Sequence, residues 1–378
     1  MGNRTSLAYV TNIPGPYRSE MIEAWAAQNG DLEISVYYTD ADDQGRGWIT
    51  RPARGVSEVR LRTMASLGRY GKLNWGVVRL VLRSDVVMIG GLEQGTYLLA
   101  ALVARLAGRG PILLFDGFSP KRFGRERRVI LAVKRITAWL CRAYFANGSV
   151  GRMYLRGQLG VSPEKPFFNQ CLSHADQFHE QLLAETAGSS KLTRQHAAGF
   201  CSGQRIVMCC GYLIYRKRID LIIDALALLP ESSRPTLLVV GAGPLMEELK
   251  TRAASARVPS VFTGHKDGLE LAAHYYLADV FVLASDDDPW GLVVNEAMRA
   301  GLPVVVSDAC GASLDLVQSG INGFVFESGS SEALRAALAR VLESDREAMG
   351  AVSQALISRW NAGVSARNLG ECVRTVSR

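Results

Sequence analysis

The run Ser285-Asp286-Asp287-Asp288-Pro289-Trp290-Gly291, continuing as Leu292-Val293-Val294-Asn295-Glu296-Ala297-Met298, puts acids and a glycine around one strand-to-helix junction. Such a junction has a definite chemistry. The first N–H groups of a helix have no intrahelical partner and attract phosphate, and a glycine at the entry lets the backbone approach it closely. Asp288 precedes the helix and Glu296 lies within it, eight residues on, so both carboxylates can meet a nucleotide sugar whose phosphates sit over the helix end. The bland alternative is a solvated acidic loop before a core helix. A second segment, Gly211-Tyr212-Leu213-Ile214-Tyr215-Arg216-Lys217-Arg218, sets three cations before another helix. Taken alone it reads as a solvated basic turn. Val239-Val240-Gly241-Ala242-Gly243-Pro244 is a glycine turn with Pro244 expected at the first helical position. Met246 stands where a dinucleotide fingerprint has its third glycine, so that chemistry is excluded. Asp286 and Asp288 suggest a metal held through oxygens. Lys217, Arg216 and the helix end supply the same charge compensation, and the metal-free reading is preferred.

Together these segments resemble the GT-B glycosyltransferases, in particular the retaining glycosyltransferase family 4 (group 1 type). The resemblance rests on two acids separated by seven residues around a Pro-Trp-Gly turn, the Glu296-Ala297-Met298 helix and the strand Gly301-Leu302-Pro303-Val304-Val305. It covers most of residues 205–330. By that resemblance Glu296 binds the donor ribose, and Asp288, usually Glu, holds donor-sugar hydroxyls. Lys217 falls on the family's diphosphate-binding lysine. Tyr212 departs from the usual basic residue, for which Arg216 substitutes, and Arg218 replaces the usual glycine. Gly211, Gly291, Leu292 and Val293 join the donor site, as do His265 and Lys266 of the Phe262-Thr263-Gly264-His265-Lys266 loop, which read equally well as surface residues.

Two alternating series of apolar runs and helical stretches must position these residues. The first comprises strands at 6–11, 32–38, 86–89 and 112–115, with helices at 18–28 and 96–106. The second has strands near 206–210, 236–240, 261–263, 280–284 and 303–307. This pattern predicts α/β architecture with two doubly wound, Rossmann-like domains facing each other across a cleft. Residues 1–175 form the expected acceptor-binding domain, 176–361 the donor-binding domain, and a helix at about 362–378 is expected to pack back on the first. The polar stretch 170–204 is the expected linker.

Composition narrows the class. With 378 residues, 48% hydrophobic and 21% charged, the chain is globular rather than disordered or fibrous. It shows no secretory signal and no apolar run long enough to span a bilayer. Seven cysteines show no C-x-x-C spacing and most sit in apolar surroundings that suit reduced core thiols, and five histidines show no zinc spacing, His174 and His179 lying five apart. Residues 1–200 carry a net charge of +10 and residues 201–378 a net of −3, which suggests different partners for the two halves.

On the amino-terminal side, Gly15 in the Asn12–Arg18 loop, Glu93 and Asp116 follow strands at one end and are candidates for orienting an acceptor; helix capping is an equal reading of either acid. Residues 121–142 hold eight Lys or Arg against one acid, Glu126. Helical spacing predicts Val129, Val133, Ile136 and Leu140 on a core face and Arg128, Arg135 and Arg142 opposite. A basic face of this kind suits an anionic membrane surface, with an ordinary solvated face as the alternative. No nucleic-acid motif accompanies it. The resulting expectation is a metal-independent, cofactor-free hexosyltransferase of surface polysaccharide synthesis. It would use a nucleotide-sugar donor and a lipid-linked or other saccharide acceptor, at the cytoplasmic face of the membrane. A glycosyltransferase on a soluble small molecule, a nucleotide-sugar epimerase of the same fold and a non-enzymatic nucleotide-sugar binding module are the rivals.

Overall fold

The computed structural model describes residues 4–40, 51–66, 68, 71–174, 176–185, 191, 195, 198–201 and 203–377. The chain forms two compact units: Met1–Phe118 with Arg122–His174 and Trp360–Arg378, and Ser119–Lys121 with Ala175–Arg359.

The first unit runs β1 (Thr5–Thr11), α1 (Pro16–Gln28), β2 (Leu32–Tyr38), β3 (Ser57–Arg60), β4 (Thr63–Ser66), β5 (Lys72–Asn74), α2 (Val77–Arg83), β6 (Val86–Ile89), α3 (Gly95–Leu106), β7 (Ile112–Phe115), α4 (Arg128–Leu140), β8 (Ala143–Ala146), α5 (Gly148–Met153) and β9 (Phe167–Asn169). Its seven-stranded sheet has the order β3-β2-β1-β6-β7-β8-β9 with every pair parallel, while β4 and β5 form a separate antiparallel pair. The second unit runs α6 (Asp176–Glu185), β10 (Ile206–Cys210), α7 (Ile219–Ala227), β11 (Thr236–Val240), α8 (Met246–Ser255), β12 (Ser260–Phe262), α9 (Gly268–Tyr275), β13 (Val280–Leu283), α10 (Leu292–Arg299), β14 (Val304–Ser307), α11 (Ser313–Leu316), β15 (Gly323–Phe326), α12 (Ser331–Glu343) and α13 (Arg346–Ile357). Its sheet is parallel throughout, in the order β12-β11-β10-β13-β14-β15. A last helix, α14 (Ala362–Ser377), belongs to the first unit.

Both sheets are doubly wound, with switch points between β1 and β6 and between β10 and β13. Strands such as Val86–Ile89, Ile112–Phe115 and Val280–Leu283 are buried at every position, because helices cover both faces of a parallel sheet. In the first unit α2, α3 and α4 share one core with Ala8 and Val10 of β1. The alternate residue Tyr9 meets Trp25 of α1 on the other face, edge-on at 5.9 Å. There α14 packs on α1: the Trp25 indole N–H donates to Ser365 Oγ (3.0 Å), and the Asn29 amide donates to the Ala366 carbonyl (2.9 Å).

Several expectations need correction. The 170–204 stretch is not only linker, since it contains α6; Ala175 and His196 lie outside the described residues. Pro244 sits in a turn two residues before α8 rather than at its first position. Of the core face assigned to α4 only Leu140 is buried, while Arg128, Arg135 and Arg142 are exposed as expected. Val129 and Ile136 are exposed and Val133 is half-buried, whereas Lys134, Thr137, Ala138 and Leu140 point inward. Lys134 can be buried because Glu93 (3.2 Å) and Glu126 (2.9 Å) take its charge, a compensation no apolar periodicity reveals. The sequence reading does not include strands β3, β4, β5, β8, β9 and β15, which are short or, in β3 and β4, largely exposed.

The α1–α14 contact yields a test. A Cβ at Gly370 would lie 2.1 Å from Asn29 Oδ1, so Gly370→Ala must displace the side chain that ties the helices together. We expect a loss of about 1–3 kcal/mol, read as a lower urea midpoint. Gly157→Ala is the control, because its added Cβ meets nothing within 4 Å.

Candidate functional site

In the second unit the carboxyl ends of β10, β11, β12 and β13 carry the loops singled out above. After β10 the chain passes Gly211 into a single 3-10 turn, Tyr215–Lys217. The loops of β10 and β11 touch through backbone: a Cβ at Gly241 would fall 1.9 Å from the Gly211 carbonyl oxygen, and Leu213 N–H donates to the Ala242 carbonyl (2.9 Å). Only glycine permits that approach. The acidic loop after β13 lies against the same turn, since Asp286 N–H donates to the Arg216 carbonyl (3.0 Å) and the Arg216 guanidinium donates to the Asp287 carbonyl.

Lys217 and Asp288, 71 residues apart, meet here as an ion pair, Nζ to Oδ2 at 2.7 Å, both largely buried. Asp288 is fixed further by its backbone, whose N–H donates to the Ala309 carbonyl and whose carbonyl accepts from Gly311 N–H. Arg218 adopts a left-handed conformation, φ 50°, at the entry to α7. That conformation is cheap for glycine and costs other residues on the order of 1–2 kcal/mol, which gives a physical reason for the glycine expected there. The Arg218 guanidinium offsets the cost by bonding Asp220 (3.0 and 3.1 Å) and Asp286 (2.9 Å), and its pKa rises well above the usual arginine value, chiefly through its hydrogen bonds to Asp220. Asp286 and Asp288 are thus each paired to a cation. Among the described residues no group of three or more His, Cys, Asp or Glu is arranged to hold a metal.

Helix α10 begins directly after Gly291, whose φ is 90°. Its entry is packed from below by Cys310 and Leu283, and Trp290 is buried with its indole N–H donating to Asn295 Oδ1 (3.0 Å). Leu292 and Val293 in the first turn are half-buried. Glu296 is only 4% exposed and accepts a hydrogen bond from the Tyr275 hydroxyl (2.8 Å). Burial, together with the Glu296 charge, pushes the neighbouring Cys210 thiol up to about 12, so it stays protonated near neutral pH. Tyr275 rises well above its usual range for the same reasons. Neither Tyr275 nor the role of Arg218 was legible beforehand. His265 is exposed and lies 3.9 Å from Asp267, and Lys266 is bound to Glu270 (3.0 Å), so neither is directed by a contact toward Lys217 or Glu296. Buried His179 packs against Tyr275 and Tyr276, while His174 of the first unit bonds Glu20 (3.1 Å).

In the first unit, Gly15 precedes α1 in extended conformation and its carbonyl accepts from Arg18 and Ser19 N–H. Asp116 is bonded by the buried Arg18 guanidinium (2.9 Å) and the Gln170 amide (2.9 Å). Glu93 takes Lys134 at one oxygen and Leu92 N–H (3.0 Å) at the other, and remains largely exposed. Both acids are held by cations from other elements, and neither caps a helix.

Gly291 offers a direct test of how α10 is set. A Cβ there would lie 2.7 Å from Leu283 Cδ2 and 2.8 Å from Cys310 Sγ, at a φ unfavourable to any side chain. Gly291→Ala should lower stability by about 2–4 kcal/mol in urea unfolding, with a native-like circular dichroism spectrum below the transition.

Comparison with known proteins bears on the same unit. Residues 193–355 match the family model described as glycosyl transferases group 1. A sulfoquinovosyl transferase of Arabidopsis thaliana is 36% identical over 153 residues, covering 40% of this chain and 29% of that protein. A GDP-mannose-dependent alpha-(1-6)-phosphatidylinositol monomannoside mannosyltransferase of Mycobacterium tuberculosis is 32% identical over 208 residues, 52% of this chain and 53% of that one. The chain therefore spans about half, or less, of the length of these relatives. Across both units the fold matches HepE of Anabaena solved with UDP, with TM-score 0.73 and 18% identity over 98% of this chain and 100% of that chain. It also matches WaaG, a glycosyltransferase involved in lipopolysaccharide biosynthesis, with TM-score 0.67 and 17% identity over 97% of this chain and 98% of that one. Residues 193–355 are thus similar in sequence to the group 1 glycosyl transferases, and the chain's two Rossmann-like units share the fold of GT-B glycosyltransferase structures.

Proposed function

We propose that the protein is a retaining hexosyltransferase of glycosyltransferase family 4. It moves a sugar from a nucleotide-sugar donor to the hydroxyl of a lipid-linked saccharide, in surface polysaccharide synthesis at the cytoplasmic face of the membrane. One observation carries the donor reading: Lys217 and Asp288 pair at 2.7 Å between the loops after β10 and β13, at the switch point of one parallel sheet, and the helix that follows the second loop, α10, carries the buried Glu296. HepE, with the same fold, was solved with UDP and with UDP-glucose, which supports a donor of that class. The membrane part of the reading is supported by the basic first half of the chain. No helix among the described residues is long and apolar enough to cross a bilayer.

In this reading the diphosphate lies over the first turn of α10, with Lys217 and Arg216 offsetting its charge. Glu296, held by Tyr275, accepts from the ribose hydroxyls, and Asp288 binds hydroxyls of the transferred sugar. The bond between the anomeric carbon and the diphosphate oxygen breaks, and the acceptor oxygen bonds the same face of that carbon. Its proton passes to the leaving diphosphate. Charge accumulates on that diphosphate in the transition state, so fixed cations there lower the barrier more than they tighten ground-state binding.

Lys217→Ala and Glu296→Gln test this. The glutamine keeps a partner for the buried Tyr275 hydroxyl, so folding is spared. Each variant should lower transfer by about a hundredfold or more, while Asp288→Glu, which restores the family's usual residue, is tolerated and Asp288→Ala is severe. Near-normal turnover in folded Lys217→Ala or Glu296→Gln overturns the site. Donor turnover without an acceptor, yielding an epimer, would point to an epimerase, and binding without turnover to a non-enzymatic module. The reaction should also survive EDTA, because cations and helix amides stand where a metal would act. Loss on chelation that Mg²⁺ or Mn²⁺ restores would assign Asp286 and Asp288 to a metal instead.

A further inference from the structure

We propose that the outer face of α2, α3 and α4 together docks on a bilayer of anionic phospholipid, with Trp75 and Trp139 entering the headgroup layer. This deepens the membrane reading above and rests on it for the identity of the partner. The three helices bury their inner faces in one core and are neighbours in the order α2, α3, α4. Their outer faces are not those of ordinary solvated helices. Eight of the seventeen exposed large hydrophobic residues among those described lie on these helices or at the entry to α2, including Trp75 (62% exposed), Leu82, Leu106, Val129, Ile136 and Trp139 (71%). Between them Arg79, Arg83, Arg105, Arg128 and Arg135 are exposed, and none of the three helices contains an Asp or Glu.

Beside Trp139 a hollow of about 410 Å³ is walled by Ile136, Tyr144, Leu159 and Val161 and bordered by Arg135 and Lys165. Apolar walls with cations at the border suit a phosphodiester headgroup and the start of its acyl chains.

The combination selects the partner. Nucleic acid would satisfy the arginines but leave Leu82, Val129 and Ile136 facing water or phosphate. A second copy of the chain would cover the apolar residues but set arginines against arginines. An anionic membrane meets both demands, because arginines reach the phosphates while apolar side chains and indole rings enter below them. Attachment then depends on insertion across three helices, and not on the arginines of α4 alone.

The test uses the full chain and sedimentation with vesicles of phosphatidylglycerol and phosphatidylcholine, against phosphatidylcholine alone, at low and raised salt. We expect binding to the anionic vesicles, weakened by salt, and quenching of tryptophan emission by brominated acyl chains, a readout that needs no variant. The double change Trp75→Ser, Trp139→Ser should lower partitioning by about tenfold or more. Arg79→Glu with Arg83→Glu should weaken it as much as Arg128→Glu with Arg135→Glu. Folding of each variant is checked by circular dichroism. If only the α4 reversal releases the protein, with no quenching and no effect of the serine changes, the three-helix face is wrong while the membrane reading stands. No binding to anionic vesicles at low salt sinks both. Binding to duplex DNA in place of vesicles overturns the assignment in favour of nucleic acid.

Discussion

The inner strands of both parallel sheets have no face open to water, and that constraint organises both units. Crossover helices must cover each face of the two sheets, so every connection leaves at one edge or the other. The βα loops gather at the carboxyl edge, and the reversal of winding between β10 and β13 parts two of them, opening room for a ligand. The loops after β10 and β13 are those that carry Lys217 and Asp288. Two side chains 71 residues apart in sequence meet at 2.7 Å because the strands bearing them are neighbours in the sheet.

Charge at these edges is arranged in pairs rather than left to solvent. Lys217 meets Asp288, Arg218 meets Asp220 and Asp286, Lys134 meets Glu93 and Glu126, and Arg18 meets Asp116. Where such groups are buried, desolvation nearly cancels the Coulomb gain, so the pairs contribute orientation more than stability. For Lys217 and Asp288 that fits the proposed reaction, since a preoriented dipole or cation costs no reorganisation at the moment charge develops on a leaving group. Glu296 follows the same logic without a cation: a buried hydroxyl, Tyr275, fixes the carboxylate in place.

The first unit shows what periodicity misses. In α4 the apolar spacing pointed to one stripe, yet the helix turned a lysine inward and left Val129 and Ile136 of that stripe outside. The fold accepts this because Glu93 comes from the β6–α3 loop and Glu126 from just before α4, meeting Lys134 at one point. Tyr154 adds a hydroxyl to Glu126 and stacks on Phe115 and Phe118, so aromatic rings line the lysine side of the cluster while Glu93 stays largely exposed.

The sequence by itself determined what is local and repetitive. Four-residue apolar runs alternating with helical stretches required two doubly wound sheets, because such strands have no solvent face. The Pro289-Trp290-Gly291 turn required a helix entry there, since only glycine takes its backbone angle cheaply. Tertiary structure alone decided the rest. Tyr275 could not be tied to Glu296 in advance, nor Arg218 to Asp286, because those contacts join different βα units and depend on strand order. It also chose which face of α4 is buried, because the energy of an inward lysine is set by the carboxylates that surround it. No spacing within the helix carries that information.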